Sequence, residues 1–271
     1  MADAGRFVAE LACAGFGTAI ADSLFHPLDT VKVRQHVEPA YTARRALAEH
    51  GIGGIWAPGL HATVLRAFTY AAVRVGAYPC VRDGLAGGRE ATCSARVAAG
   101  SCTGAVAALA FTPLDVLRVR TQLRPRAFPA LDVVEGLRRI ATAEGSAASL
   151  WRGAGVNVCR AAVLSAAQLS TYDAAKRRLR DDGGWAEGPA LHLVAAICAG
   201  VVAQTAIQPF DAARTTICAG DGAAAPFASA RRTPAALLRG YRAGLARQGP
   251  VLALTLGVTE RARAALGLAP M

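Results

Sequence analysis

Aromatic and charged side chains are scarce in this chain. Trp, Tyr and Phe make up 6% of the 271 residues and charged residues 18%, whereas 53% are hydrophobic. An average soluble domain carries about 25% charged residues, so this composition argues against a soluble protein. Together with a mean hydropathy of +0.31, it favours a membrane protein built from small-residue helices.

Signatures of catalytic or metal chemistry are also lacking. The seven cysteines show no paired or metal-binding spacing, and we interpret them as small packing residues. The five histidines are scattered, and no pair of catalytic acids, nucleophile with its base, or phosphate-binding loop stands out. We therefore expect neither an enzyme nor a bound metal or cofactor. The N-terminus shows no pattern of a cleavable signal, so we expect internal targeting to the membrane.

Long uncharged runs are few. Only the runs at 97–114 and 193–210 reach 18 residues, which is the lower limit for spanning a bilayer. Other apolar stretches are interrupted by single charges, which a helix facing lipid would not tolerate but a helix lining a polar cavity does. Hydropathy alone is therefore expected to undercount the spanning helices.

One short motif is repeated. The pattern P-x-D-x-x-[K/R] begins at Pro27, Pro113 and Pro209, each time after an apolar run of small residues. Its regular recurrence predicts three tandem helix pairs, and the motif lies near the end of the first helix of each pair. The repeats are expected at 7–85, 94–180 and 190–268, within a single domain at 1–271, and the first helix at 7–36.

Basic residues are unevenly distributed. More than half of the 30 Lys and Arg residues lie in three segments that each follow a motif. The positive-inside rule places these three segments on one side of a membrane. The same distribution argues against a nucleic-acid partner, despite the net charge of +11.

A second signature follows each motif and identifies a family. It consists of an aromatic residue, a base and a glycine; Trp151, Arg152 and Gly153 form it best, and 56–59 and 238–240 form it more weakly. Three proline motifs in register with three such elements resemble the mitochondrial carrier family. The resemblance implies an all-α membrane protein with six transmembrane helices in pseudo-threefold symmetry around a central cavity. It also implies short surface helices on the matrix side and solute exchange across the mitochondrial inner membrane.

The resemblance further implies partners. Cardiolipin would bind at Trp151, Arg152 and Gly153, and small anionic metabolites would bind in the cavity. Because one chain completes the cavity, a functional monomer is expected.

The proline motifs would form a gate at the matrix end. With each helix kinked at its proline, the acid of one motif would pair with the base of a neighbouring motif, giving three ion pairs. In the family a glutamine nine residues after the proline can brace a pair; Gln122 matches, and His36 and Cys218 occupy the other two places. The gate residues are Pro27, Asp29, Lys32, Pro113, Asp115, Arg118, Gln122, Pro209, Asp211 and Arg214.

The family's second gate, at the cytoplasmic end, is less complete. Its pattern is an aromatic residue, an acid and, three residues later, a base, and Tyr172, Asp173 and Lys176 fit it fully. The third repeat keeps an acid and a base without the aromatic residue, and the first has a proline in place of the acid. At most two pairs can form, so a weaker gate is expected. The remaining members are Arg82, Glu260 and Arg263.

Four arginines lie at membrane depth. Arg66, Arg160 and Arg247 each follow a repeat glycine by seven residues, or two helical turns, so they should lie at one depth. Arg74 continues the stripe of Arg66. Buried charge is costly, and arginine binds carboxylate or phosphate with two prongs, so these residues predict an anion site. Asp22 lies at the same depth. We favour that it neutralises one arginine; otherwise it takes part in proton coupling or binds a substrate amino group.

The amino-acid sequence around these arginines resembles that of the dicarboxylate, oxoglutarate and uncoupling-protein branch of the family. This implies that the arginines contact a small di- or tricarboxylate, and that Tyr70, Ser165 and Gln168 help to set selectivity. Our first hypothesis is exchange of such anions by alternating access. The alternative, motivated by Asp22, is an uncoupling-protein-like leak of protons or anions. A membrane protein with a structural or receptor role is the third hypothesis.

Overall fold

The computed structural model describes residues 2–38, 40–87, 92–125, 132–186, 188–220, 238 and 240–267, and every regular element in these ranges is helical. The elements are α1 (Ala2–Leu24), α2 (His26–Val37), α3 (Ala43–Trp56), α4 (Leu60–Ala86), α5 (Cys93–Leu123), α6 (Val133–Ala143), a 3₁₀ helix (Ala147–Trp151), α7 (Ala154–Asp181), α8 (Pro189–Ala219) and α9 (Tyr241–Ala265). The protein is therefore an all-helical chain over its described length.

The long helices pack side by side in a closed series. α1 contacts α4, α4 contacts α5, α5 contacts α7, α7 contacts α8, α8 contacts α9, and α9 returns to α1. Small residues allow the close approach: a Cβ placed on Gly17 would collide with Thr259 Oγ1, and one on Gly104 would lie 3.6 Å from Ala161 Cβ. Glycine at these positions therefore lets α1 approach α9 and α5 approach α7 closely.

Two helices in the described part of the chain are long and apolar enough to cross a membrane. They are α5 and the Ala190–Ala219 part of α8, which contain the two long uncharged runs. The pair formed by α1 and α2 is a third if the bent pair counts as one span. The other long helices, α4, α7 and α9, carry Arg66, Arg160 and Arg247 in their interiors, which lowers their hydropathy.

The helix expected at 7–36 is broken. Phe25, with φ −93° and ψ 9°, separates α1 from α2, and the two axes differ in direction by 64°. Two hydrogen-bond contacts stabilise the break between α1 and α2. Trp56 Nε1 donates to Ser23 O at 2.6 Å, and His26 Nε2 lies 2.8 Å from Pro58 O. The helices α5 and α8 continue through their motif prolines. At the first motif the chain therefore breaks at Phe25, just before Pro27, and these contacts stabilise the break.

A glycine with a left-handed backbone conformation immediately precedes each of the helices α4, α7 and α9. Gly59, Gly153 and Gly240 have φ of 79°, 83° and 72°, the left-handed region that favours glycine. Each also lies against a motif-bearing helix: an added Cβ would lie 3.2 Å from Arg118 O, 3.3 Å from Ile217 Cγ2 and 3.2 Å from Lys32 Cγ, respectively. Any larger residue would be strained and crowded at these positions.

Two surface segments connect helices of the first two repeats. Thr42 is the N-cap of α3, and its side chain accepts a hydrogen bond from Arg45 N. Asp132 is the N-cap of α6, and its side chain accepts a hydrogen bond from Val134 N. The hydrogen bond from Arg45 to Glu49, 2.7 Å long, lowers the pKa of Glu49. Most of the corresponding segment of the third repeat, residues 221–237, lies outside the described residues.

Candidate functional site

Three ion pairs join the ends of the motif-bearing helices. Lys32 Nζ lies 2.5 Å from Asp211 Oδ2 and Arg214 Nη2 lies 2.6 Å from Asp115 Oδ1, while Arg118 pairs with Asp29. Each pair takes its acid and its base from different repeats. Asp115 and Asp211 are only 2% and 5% exposed, so the charges are held away from bulk water. The structure thus brings the six predicted motif charges together.

Gln122 supports one of these pairs. Its Nε2 donates to Asp29 Oδ2 and to Thr30 Oγ1, at 3.3 Å in both cases. The side chain is fully buried, so this amide has little freedom to turn away. The bond joins α5 to α2 beside the pair of Asp29 and Arg118.

The membrane-depth arginines reach the same carboxylates. Arg66 Nε lies 2.6 Å from Asp115 Oδ1, and Arg160 pairs with Asp211. Arg247 pairs with Asp22, and its Nε lies 3.9 Å from Asp29 Oδ1. Each motif acid therefore lies between a motif base and an arginine of α4, α7 or α9. Sequence reasoning had treated the arginines and the motif charges as separate layers, but in the structure they share acids.

A small polar cavity of about 100 Å³ lies among these side chains. The side chains joined by these ion pairs comprise six cations and four carboxylates, so the ion-paired cluster has two positive charges in excess. Its members are Lys32, Arg66, Arg118, Arg160, Arg214, Arg247, Asp22, Asp29, Asp115 and Asp211. An excess of positive charge in a poorly solvated cleft attracts and retains anions.

The predicted selectivity residues lie further along α4 and α7. Tyr70 carries the guanidinium of Arg66 over its ring, 4.9 Å from the centroid. Arg74 Nη2 is 3.4 Å from Ser165 Oγ, which itself donates to Gly100 O at 3.1 Å. Gln168 is half-buried on α7. Within the described part of the chain these side chains do not line the 100 Å³ cavity.

The predicted charges of the opposite end have other partners. Asp173 lies 3.4 Å from Arg96 of α5, and Arg263 lies 3.6 Å from Glu10 of α1. Sequence reasoning had named neither partner. Arg82 contacts its neighbour Asp83 at 2.7 Å and lies over Tyr78, and Tyr172 hydrogen-bonds His192 at 2.6 Å. Lys176 is half-buried, and the side chain of Glu260 lies outside the described residues.

Two buried arginines were missed by the sequence analysis. Arg34 Nε donates to Gln122 O at 3.0 Å, and Arg120 Nε donates to Cys218 O at 3.1 Å; Arg120 also pairs with Glu144. Both follow a motif proline by seven residues, and this shared spacing was the signal that could have revealed them. Each of these arginines connects the end of its own helix to the next motif-bearing helix through a hydrogen bond.

The aromatic-basic-glycine element of the second repeat contacts Glu144. Trp151 is 45% exposed, Arg152 Nη2 lies 3.1 Å from Glu144 Oε2, and Gly153 begins α7. The element is therefore anchored to the same Glu144 that pairs with Arg120.

Comparison with known proteins identifies the family of this chain. A family model described as "Mitochondrial carrier protein" matches residues 3–88 and 89–183. "Mitochondrial uncoupling protein 6" of Arabidopsis thaliana is 34% identical over 227 residues, covering 77% of this chain and 66% of that protein. "Putative mitochondrial transporter UCP3" of Sus scrofa is 30% identical over 221 residues, covering 74% and 71%.

A third relative has a similar degree of likeness. "Mitochondrial brown fat uncoupling protein 1" of Ovis aries is 29% identical over 218 residues, covering 74% of this chain and 71% of that protein. The matched segments contain two copies of the proline motif and their ion-paired charges. The chain belongs to the mitochondrial carrier family and is a multi-pass protein of the mitochondrial inner membrane.

Proposed function

We propose that this carrier is an uncoupling-protein-like protein, which lets protons return across the inner membrane with the help of an anion bound by its arginines. The observation that carries the proposal is the buried pair of Asp22 and Arg247 beside a cavity with excess positive charge. The names of its relatives as uncoupling proteins support the same activity.

The proposed architecture has six transmembrane helices, formed by α1 with α2, α4, α5, α7, α8 and α9. They would surround the cavity with pseudo-threefold symmetry, as three repeats at 7–85, 94–180 and 190–268 of one domain and one functional monomer. The closed series of helix contacts and the three left-handed glycines support this arrangement. Charged interiors in α4, α7 and α9 are compatible with spanning because these charges face other helices.

In this proposal the three ion pairs are the matrix gate, and the bound anion opens it. Buried ion pairs have small net stability, because the cost of desolvation offsets most of the attraction. An anion that binds Arg66, Arg160 and Arg247 would draw them away from the carboxylates they share with the gate. Each motif acid would then be held by one cation instead of two, and the matrix end would open more easily.

The same exchange of partners would move a proton. When the anion takes Arg247, the Asp22 carboxylate is left buried without a counter-charge, and such a group binds a proton. When the anion leaves, Arg247 pairs again with Asp22 and the proton is released on the side that is then open. Arg247 would therefore link anion binding to proton binding.

The remaining predicted residues have secondary roles in this proposal. Tyr70, Arg74, Ser165 and Gln168 would select the anion on its way to the arginines. The cytoplasmic gate would be weaker than the matrix gate, because at most two of its acid–base pairs can form. Cardiolipin would bind at Trp151, Arg152 and Gly153.

The test is proton flux into liposomes that contain the purified protein and a pH-sensitive dye, with palmitate as the anion. Valinomycin and potassium set the membrane potential. We expect a palmitate-dependent proton current that Asp22→Asn abolishes, whereas Glu135→Gln, an exposed acid on α6, leaves it unchanged. A folded protein that gives no palmitate-dependent current would overturn the proposal.

The second candidate is exchange of small dicarboxylates or 2-oxoacids. It is favoured by the two uncompensated positive charges, which suit a dianion without any proton movement. Exchange of radiolabelled malate or oxoglutarate into loaded liposomes measures it directly. Labelled exchange without proton current, lost in Arg66→Ala, would favour this candidate over the leak.

A further inference from the structure

Among the residues that the structure describes, one buried side chain at the cavity has no hydrogen-bond partner. His36, in the last turn of α2, is 7% exposed and lines the cavity, and among the described residues neither of its ring nitrogens has a hydrogen-bond partner. A buried imidazole without a hydrogen bond costs free energy, so its retention at this place calls for a physical reason.

Its position is equivalent to that of Gln122. Both residues follow a motif proline by nine positions, and each lies on the helix that supplies the base of one ion pair. Gln122 donates to the acid of its pair, Asp29. His36 instead turns its ring toward the start of α9, where Cε1 and Nε2 lie 3.3 and 3.4 Å from the position of a Cβ on Gly240.

The surroundings of this ring are more positive than negative. Lys32 and Asp29 lie on the same helix, and Asp211 and Arg214 come from α8. The other charged residues that line the same cavity are Arg66 of α4, Arg118 of α5, Arg160 of α7 and Arg247 of α9. The six cations outnumber the two acids. The ring also lies at the N-terminus of α9, which has no side-chain cap and presents the positive end of the helix dipole.

We propose that His36 is a proton-operated latch on the matrix gate. The neutral ring packs into the seam between α2 and the start of α9 and keeps it closed. When the seam opens, the exposed ring binds a proton from the matrix side. The cations and the α9 dipole repel the resulting imidazolium, so the ring does not return and the seam stays open. This inference rests on the proposed role of the ion pairs as the matrix gate.

Only one of the three equivalent seams would respond to pH. Histidine changes its charge close to physiological pH, whereas the amide of Gln122 stays neutral throughout. The third seam holds Cys218, whose Sγ packs 3.5 Å from the position of a Cβ on Gly153. Of the three equivalent seams, acidification on the matrix side would therefore act on the one that holds His36.

The test uses Cys218 as a reporter of gate opening, because its thiol is fully buried in the closed state. The reporter protein keeps Cys218 and has serine at the other six cysteine positions. Its labelling rate with N-ethylmaleimide is measured from pH 8 to pH 6, with and without His36→Gln. The control is His50→Gln, because His50 is exposed on α3. Dividing the rates of two variants at each pH cancels the intrinsic pH dependence of the thiol.

We expect the labelling rate of the protein with His36, divided by that of His36→Gln, to rise as the pH falls. The limit for one proton is about tenfold per pH unit. His50→Gln should keep the behaviour of the unsubstituted reporter. A ratio that is the same at every pH overturns the latch, and His36→Asn provides the same comparison if His36→Gln does not fold. A rising ratio in a protein without palmitate-dependent current would support the latch while refuting the proposed leak.

Discussion

Asp22→Asn is the most informative single substitution. The amide keeps the size of the side chain but removes the charge that faces Arg247. Asp22 is 7% exposed, so water cannot take over the role of the carboxylate. Removing one partner of a buried ion pair destabilises proteins by about 3–5 kcal/mol, because the other charge is left uncompensated.

The structure places this substitution at the lower end of that range. Asp29 Oδ1 lies 3.9 Å from Arg247 Nε and remains as a second, weaker counter-charge. We therefore expect a loss of about 3 kcal/mol. At about 2–4 °C per kcal/mol in a protein of this size, the melting temperature should fall by about 6–12 °C.

The assay is thermal unfolding of the purified carrier in detergent, followed by proton flux in liposomes. Glu135→Gln is the matched control, because this exposed acid pairs with Arg139 one helical turn away and should cost less than about 0.5 kcal/mol. Combining Asp22→Asn with Arg247→Gln removes both charges and should restore most of the stability. If Asp22→Asn melts within about 2 °C of the unsubstituted protein and keeps the palmitate-dependent current, both the ion-pair argument and the proton role of Asp22 are refuted.

Three further substitutions, with Gly155→Ala as a control, test individual contacts by thermal unfolding. Gly153→Ala should cost about 1–2 kcal/mol, because its φ is 83° and the new Cβ would press on Ile217; Gly155→Ala, where nothing lies within 4 Å, should cost nothing. Arg120→Ala should cost about 3 kcal/mol because its buried bonds to Glu144 and a backbone carbonyl are lost. Thr42→Ala should cost about 1 kcal/mol through loss of the α3 cap. Unchanged stability in Gly153→Ala, Arg120→Ala or Thr42→Ala would contradict the corresponding contact.

The helices and the charged residues of the site could be predicted from the sequence. The second repeat was expected to begin at residue 94, and α5 begins at Cys93. These features are local, since residues a few positions apart on one helix share a face whatever the rest of the chain does. The family was recognised for the same reason, because its motifs are short and contiguous.

The pairing of these charges depended on the tertiary structure. Arg118 meets Asp29 across 89 positions, Lys32 meets Asp211 across 179, and Arg247 meets Asp22 across 225. Which acid faces which base is set by how far each helix slides and turns against its neighbours, and no local spacing records that. The sequence could therefore place Asp22 beside some arginine but not beside Arg247.

The sequence by itself determined that this chain forms apolar helices in three related segments, with acids, bases and arginines at repeated positions. Periodicity and spacing are properties of a single helix, so they are visible before folding. Only the tertiary structure decided that the arginines share their carboxylates with the motif bases and that the chain breaks between α1 and α2 at Phe25. It also decided that His36 has no hydrogen-bond partner among the described residues. These outcomes depend on contacts between distant segments, where one helix supplies the charge that another must neutralise.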